Sequence, residues 1–151
     1  MPQSLSKILI HFVFSTKQRY PFLQNEEMRL EMQAYLAGIF KERDCPSLIV
    51  NGTADHMHAL VNLSKKFALM EVIKEAKRGS SVWIKNKGGM LSKFHWQDGY
   101  GAFSVSQSQV QHVRQYIVSQ QEHHKKISFQ EEFHELLRRH EIDYDEKYLW
   151  D

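Results

Sequence analysis

The chain has 151 residues, 42% of them apolar and 25% charged, which fits one globular domain with a sizeable core. No apolar run approaches the ~20 residues needed to cross a membrane, and the opening Met1-Pro2-Gln3-Ser4 carries no signal-peptide pattern. Cys45 is the single cysteine, so an internal disulfide is excluded and a reducing cytoplasm is the expected home.

The net charge of +2 conceals an asymmetry. Residues 65–93 hold eight basic and two acidic groups, and residues 129–151 hold three basic and eight acidic ones. A basic region followed by an acidic tail predicts a polyanionic partner, and a tail that competes with that partner for the basic surface.

In chain order, Leu5 to Ser15 is rich in Ile, Val and Phe and reads as a buried strand. Asn25 is placed to cap a helix, with Glu26 and Glu27 in its first turn. Apolar residues from Met28 to Phe40 follow helical spacing to about Arg43. Pro46 opens a strand over about 47–53, Ala54-Asp55 is a tight turn, and residues 57–63 form the antiparallel partner.

This hairpin carries His56-Met57-His58. Residues i and i+2 of a strand share a face, so the two imidazoles stand side by side and Met57 points into a core. Two imidazoles on a rigid strand are two metal ligands, although core histidines account for many such pairs. A hydrolase of small molecules built on the pair would need a nearby carboxylate base. Asp55 is adjacent, but alternation is expected to turn it to the other face.

A second helix is predicted over about 68–85. Leu69, Val72, Ile73, Ala76 and Trp83 form its apolar side, and Lys74, Lys77, Arg78 and Lys85 share an arc on the opposite side. These four are candidates for contact with a nucleic-acid backbone; a solvated helix face is the plainer reading. Tyr20, Phe22, Phe94 and Trp96 are candidates either for base stacking or for the core. Tyr100–Val105 is a fourth strand. Ser106 or Ser108 caps a third helix running to about Lys126, and a short acidic helix over about 129–140 closes the chain.

Strand, helix, strand, strand, helix, strand is the split βαβ order. The expected fold class is therefore α+β, a ferredoxin-like (RRM-like) sandwich: an antiparallel sheet with helices on one face. The third helix carries Tyr116 and Gln120 one turn apart on the edge of the Val110, Val113 and Ile117 stripe, so they face one neighbour. A tyrosine is a poor nucleophile at its ordinary pKa of ~10. It becomes useful against a phosphodiester when a cation neutralises the phosphate and the geometry is fixed.

The combination of His56-Met57-His58 in a hairpin, a basic helix, and Tyr116 with Gln120 on a late helix resembles the single-tyrosine HUH transposases. These are the insertion-sequence enzymes and their REP-associated relatives. The resemblance extends to the stretch from Ile10 to Phe22 and to that from Trp96 to Val105, and covers about residues 5–127. It implies a catalytic domain over 1–127 and an acidic extension over 128–151. His56, His58 and Gln120 would hold one divalent cation, Mg²⁺ or Mn²⁺. Tyr116 would attack single-stranded, hairpin-forming DNA to give a 5′-phosphotyrosine and a free 3′-hydroxyl, which rejoining would reverse.

No nucleotide cofactor is needed for that exchange, in keeping with the lack of a Walker-type loop. The resemblance also implies a bacterial, cytoplasmic homodimer. Its sheets would join, and the tyrosine helix of one subunit would complete the histidine pair of the other. The alternative is a non-catalytic or domesticated single-stranded nucleic-acid-binding protein of the same fold.

Overall fold

The computed structural model describes residues 3–150. Its centre is a four-stranded antiparallel sheet in the order β2-β3-β1-β4, formed by β1 (Leu9–Ser15), β2 (Ser47–Gly52), β3 (His56–Asn62) and β4 (Gly101–Val105). Helices α1 (Glu26–Glu42) and α2 (Leu69–Lys85) are the two crossovers. This is the ferredoxin-like split βαβ topology expected from the element order.

Both crossover helices lie on one face of the sheet. Ile10, Phe12 and Phe14 of β1 and Met57, Ala59 and Val61 of β3 meet Met32, Leu36 and Phe40 of α1 and Val72, Ile73, Ala76 and Ile84 of α2. Phe94 and Trp96 belong to this core, whereas Tyr20 is exposed. The Trp96 indole N–H donates to Ser80 Oγ at 3.0 Å, both buried.

The opposite face is covered too, by α3 (Val110–Val118), α4 (Gln120–His123) and α5 (Phe129–Arg139). Leu9 and Leu60 pack on Val110 and Ile117. Val13 and Phe103 pack on Phe129, Phe133, Leu136 and Leu137. Cover on both sides explains why every residue of β1 is buried and why its sequence reads as an unbroken apolar run. A final short helix, α6 (Glu146–Leu149), follows.

Two local expectations need correction. The helix predicted from Ser106 or Ser108 to Lys126 begins at Val110, after a 3₁₀ turn over Gln107–Gln109, with no side-chain cap. It also breaks at Ser119. There Asn51 Nδ2 on β2 donates to the carbonyls of Ile117, at 2.8 Å, and Val118, at 3.3 Å. The Ser119 hydroxyl also turns back to the carbonyls of Gln115 and Tyr116. Carbonyls satisfied from outside no longer need the next helical N–H groups.

The acidic segment, in turn, does not cover the basic helix. α5 and α2 lie on opposite faces of the sheet, and Glu135 pairs within α5 with Arg138 and Arg139. Among the described residues, no helix is long and apolar enough to cross a membrane.

Candidate active site

Strand alternation puts His56 and His58 on the face away from α1 and α2, fully buried, with Met57 in the core behind them. The β2–β3 hairpin closes tightly around Gly52. A Cβ there would lie 2.1 Å from the His56 carbonyl oxygen and 2.8 Å from Met57 Sδ, so only glycine lets the strands approach this closely.

Each imidazole is oriented from behind. His56 Nδ1 is 2.7 Å from Asp55 Oδ1 and 2.9 Å from Thr53 Oγ. Asp55 was expected to face away; it sits in the turn, outside the strand alternation, and its carboxylate folds onto its neighbour's ring. His58 Nδ1 is 2.8 Å from His11 Nε2. His11 lies diagonally across the β1–β3 pairing, so the first-strand histidine neighbours the site.

α3 and α4 supply the next two groups. The break at Ser119 leaves Tyr116 at the end of α3 and Gln120 at the start of α4. Gln120 is fully buried, and its Oε1 is 3.0 Å from His56 Nε2. Tyr116 is half-buried, with its ring 5.8 Å from that of His58. The tyrosine, the carboxamide and both histidines therefore meet within one chain. His112 is exposed and stands apart from this cluster, while His123 lies 3.5 Å from its central carboxylate.

That carboxylate is Glu132 on α5, 1% exposed, and it was not anticipated. Its Oε1 is 3.0 Å from His58 Nε2, 3.0 Å from His124 Nε2 and 3.4 Å from His56 Nε2. Its Oε2 accepts from the Tyr116 hydroxyl and, at 2.9 Å, from Gln120 Nε2. A signal was present in the sequence. Ser128 caps the helix by accepting from Glu131 N–H, and at helical spacing Glu132 falls inside the apolar stripe of Phe129, Phe133 and Leu136. A carboxylate inside an apolar stripe needs a buried partner.

The electrostatics follow from this crowding. Burial opposes the charge on His56, but its hydrogen bonds to Asp55 and Glu132 prevail and raise its pKa to about 9. Burial lowers the pKa of His58 and, further, of His11. Burial works against ionised Glu132 as well, yet His58 and the bonds from His124 and His56 hold it well below the usual carboxylate range. The Tyr116 phenol is pushed up by burial and by the charge of Glu132. As arranged here, the phenol keeps its proton until that negative charge is offset.

A cleft of about 480 Å³ opens beside the tyrosine, lined in part by His11, Phe103, His112, Tyr116, Arg139 and His140. The basic residues of α2 do not share this face. Lys74 is exposed and Lys85 half-exposed. Lys77 donates to the carbonyls of Gln97 and Gly99 at 2.7 Å each, and Arg78 pairs with Glu75 at 2.7 Å.

The fold has solved counterparts. A crystal structure of a candidate transposase from Deinococcus radiodurans R1 is 20% identical, covering 78% of this chain and 93% of that one, with a TM-score of 0.61. A REP-associated tyrosine transposase bound to a REP hairpin is 14% identical, covering 78% of this chain and 68% of that one, with a TM-score of 0.57. No match was found among curated proteins. The pattern of the family described as "Transposase IS200 like" matches residues 4–120, from before the first strand through Gln120, and the chain belongs to that family of transposases.

Proposed function

We propose that this transposase cleaves and rejoins single-stranded DNA through Tyr116, with a divalent cation at His56, His58 and Gln120. The observation that carries the reading is the convergence of Tyr116, Gln120, His56 and His58 on one buried point. The donor set suits such an ion: His56 Nε2 and Gln120 Oε1 are 3.0 Å apart, and the second imidazole stands on the same strand face. When bound there, a divalent cation supplies Lewis-acid polarisation of a phosphate oxygen and orients the phosphate.

The chain's own residues do the rest. Tyr116 Oη, oriented by the hydrogen bond it donates to Glu132 Oε2, attacks the phosphorus and gives up its proton to solvent. The bond from phosphorus to the 3′-oxygen breaks, that oxygen takes up a proton, and the 5′ side remains as a phosphotyrosine. The 3′-hydroxyl of another strand then attacks the phosphotyrosine and releases Tyr116. Phosphodiester is exchanged for phosphotyrosine and back, so no nucleotide cofactor is consumed.

The substrate in this reading is hairpin-forming DNA, in line with the hairpin-bound structural neighbour. Lys74, Lys77, Arg78 and Lys85 contact its backbone. Because α2 and the tyrosine lie on opposite faces of the sheet, DNA touching both passes round a sheet edge. The reading includes a homodimer joined through the sheets.

A denaturing gel tests the chemistry. Labelled hairpin-bearing single-stranded DNA, with Mn²⁺ or Mg²⁺, is expected to give a covalent protein–DNA band that disappears without metal and in Tyr116→Phe. Binding with no such band in the intact protein would favour the non-catalytic alternative.

A further inference from the structure

We propose that this chain grips its divalent cation with four of its own side chains, His56, His58, His124 and Glu132, the last two supplied by the segment after the tyrosine helix. The occupant is a nitrogen-preferring transition cation of the Zn²⁺ or Co²⁺ class rather than Mg²⁺. This deepens the reading above and rests on it in placing the cation at the histidine pair, but His124 and Glu132 replace Gln120 as ligands, and a phosphate oxygen would enter as a fifth ligand.

The geometry gathers the ligand atoms around one carboxylate oxygen. The three Nε2 atoms stand 3.0, 3.0 and 3.4 Å from a single oxygen, Glu132 Oε1. One ligand atom from each of the four residues lies within 4.8 Å of every other. Four ligands at 2.0–2.2 Å around a tetrahedral ion are separated by about 3.3–3.6 Å. Closing this cluster on a cation takes relative shifts of up to about 1 Å.

The hydrogen bonds behind the rings aim the lone pairs inward. His124 Nδ1 faces the carbonyl oxygen of Ile127 at 3.0 Å. A carbonyl only accepts, so this nitrogen carries a hydrogen and Nε2 is the ligand atom left facing the cluster. His56 Nδ1 faces the Asp55 carboxylate, which holds that ring in place. Its Nε2 looks at two acceptors, Gln120 Oε1 and Glu132 Oε1. A cation there would take the place of the proton that His56 Nε2 shares with these oxygens. A carboxylate or carbonyl behind each imidazole is the usual support of a metal-ligating histidine. Three imidazoles and one carboxylate are a borderline donor set, whereas Mg²⁺ favours oxygen ligands and retained water.

Both additional ligands lie beyond residue 120, where the family match ends. They are nevertheless held firmly. His124 is the C-cap of the short α4, and Glu132 rides on α5, which Phe129, Phe133, Leu136 and Leu137 anchor to Val13 and Phe103. The centre is thus completed by a part of the chain outside the shared family region.

The test uses the full chain, stripped with a chelator and titrated with Co²⁺. Visible absorption reports coordination and calorimetry reports affinity. One Co²⁺ per chain is expected, with the intense bands of a four-coordinate site. His124→Ala and Glu132→Gln, folded by circular dichroism, are expected to weaken binding by about 10²-fold or more, as loss of a ligand should exceed loss of a supporting partner. X-ray absorption of the zinc-loaded intact protein avoids variants altogether and is expected to count three imidazoles.

Two imidazoles in that spectrum, or unchanged Co²⁺ affinity in both variants while His56→Ala loses it, overturns the proposal. The strand-transfer reading would then stand with a smaller ligand set. Loss of the covalent DNA adduct, by contrast, sinks that reading on a separate measurement.

Discussion

Glu132 reaches the centre only because α5 is held on the sheet, and Phe133 is one of its main holds. The Phe133 ring is 9% exposed. It packs at 5.6 Å from the Phe129 ring, 6.0 Å from Trp150 and 6.5 Å from Phe103. It lies over Gly101, where an added Cβ would come within 2.6 Å of Phe133 Cε1. Truncating a buried phenylalanine costs about 3–5 kcal/mol. The site lies at the rim of the molecule, where α5 can relax, so about 3 kcal/mol is expected for Phe133→Ala.

α5 is one helix laid on an otherwise complete sheet, so the loss should fall on its local opening rather than on the strands. At 1.4 kcal/mol per factor of ten, about 3 kcal/mol raises the open population by about 10²-fold. Hydrogen exchange reads this directly. Amides of Phe129–Arg139 should exchange about 10²-fold faster, with β1 and β3 little changed. Unchanged α5 exchange would refute the packing account. Equal acceleration in α5 and the strands would refute the claim that α5 opens alone.

Gly52→Ala places a methyl group against the His56 carbonyl; a loss of about 3 kcal/mol or more is expected in denaturant melts, together with weakened metal binding. Asn51→Leu removes the donor to the Ile117 and Val118 carbonyls and should cost about 1–3 kcal/mol, read as a lowered Tm with faster exchange at the end of α3. Ser80→Ala leaves the Trp96 indole N–H without its buried acceptor, for a loss of about 1–3 kcal/mol in the same melts. Because Tyr116 and the histidines meet within one chain, mixing Tyr116→Phe with His56→Ala chains should restore no covalent DNA adduct. Restored adduct would mean that the sites are shared between subunits.

Periodicity and punctuation made the framework legible. Alternation in β1 and β3 separated Phe12 and Phe14 from His11, and Met57 from His56 and His58. Asn25 marked the first helix start, and its side chain does cap the Met28 N–H. The i, i+4 spacing joined Tyr116 to Gln120. These are local properties, set by a few consecutive residues and the geometry of one strand or helix.

What only the tertiary structure decided depends on residues far apart in the chain. Asn51 ends α3 from a neighbouring strand. The hairpin turn swings Asp55 onto His56. α5 brings Glu132 across 74 positions to His58. The segment after residue 120 completes the centre because its apolar stripe finds the one sheet face that α1 and α2 leave uncovered. Which strand face a helix will bury against, and which carboxylate it carries there, is settled by packing of the whole chain rather than by spacing within any segment of it.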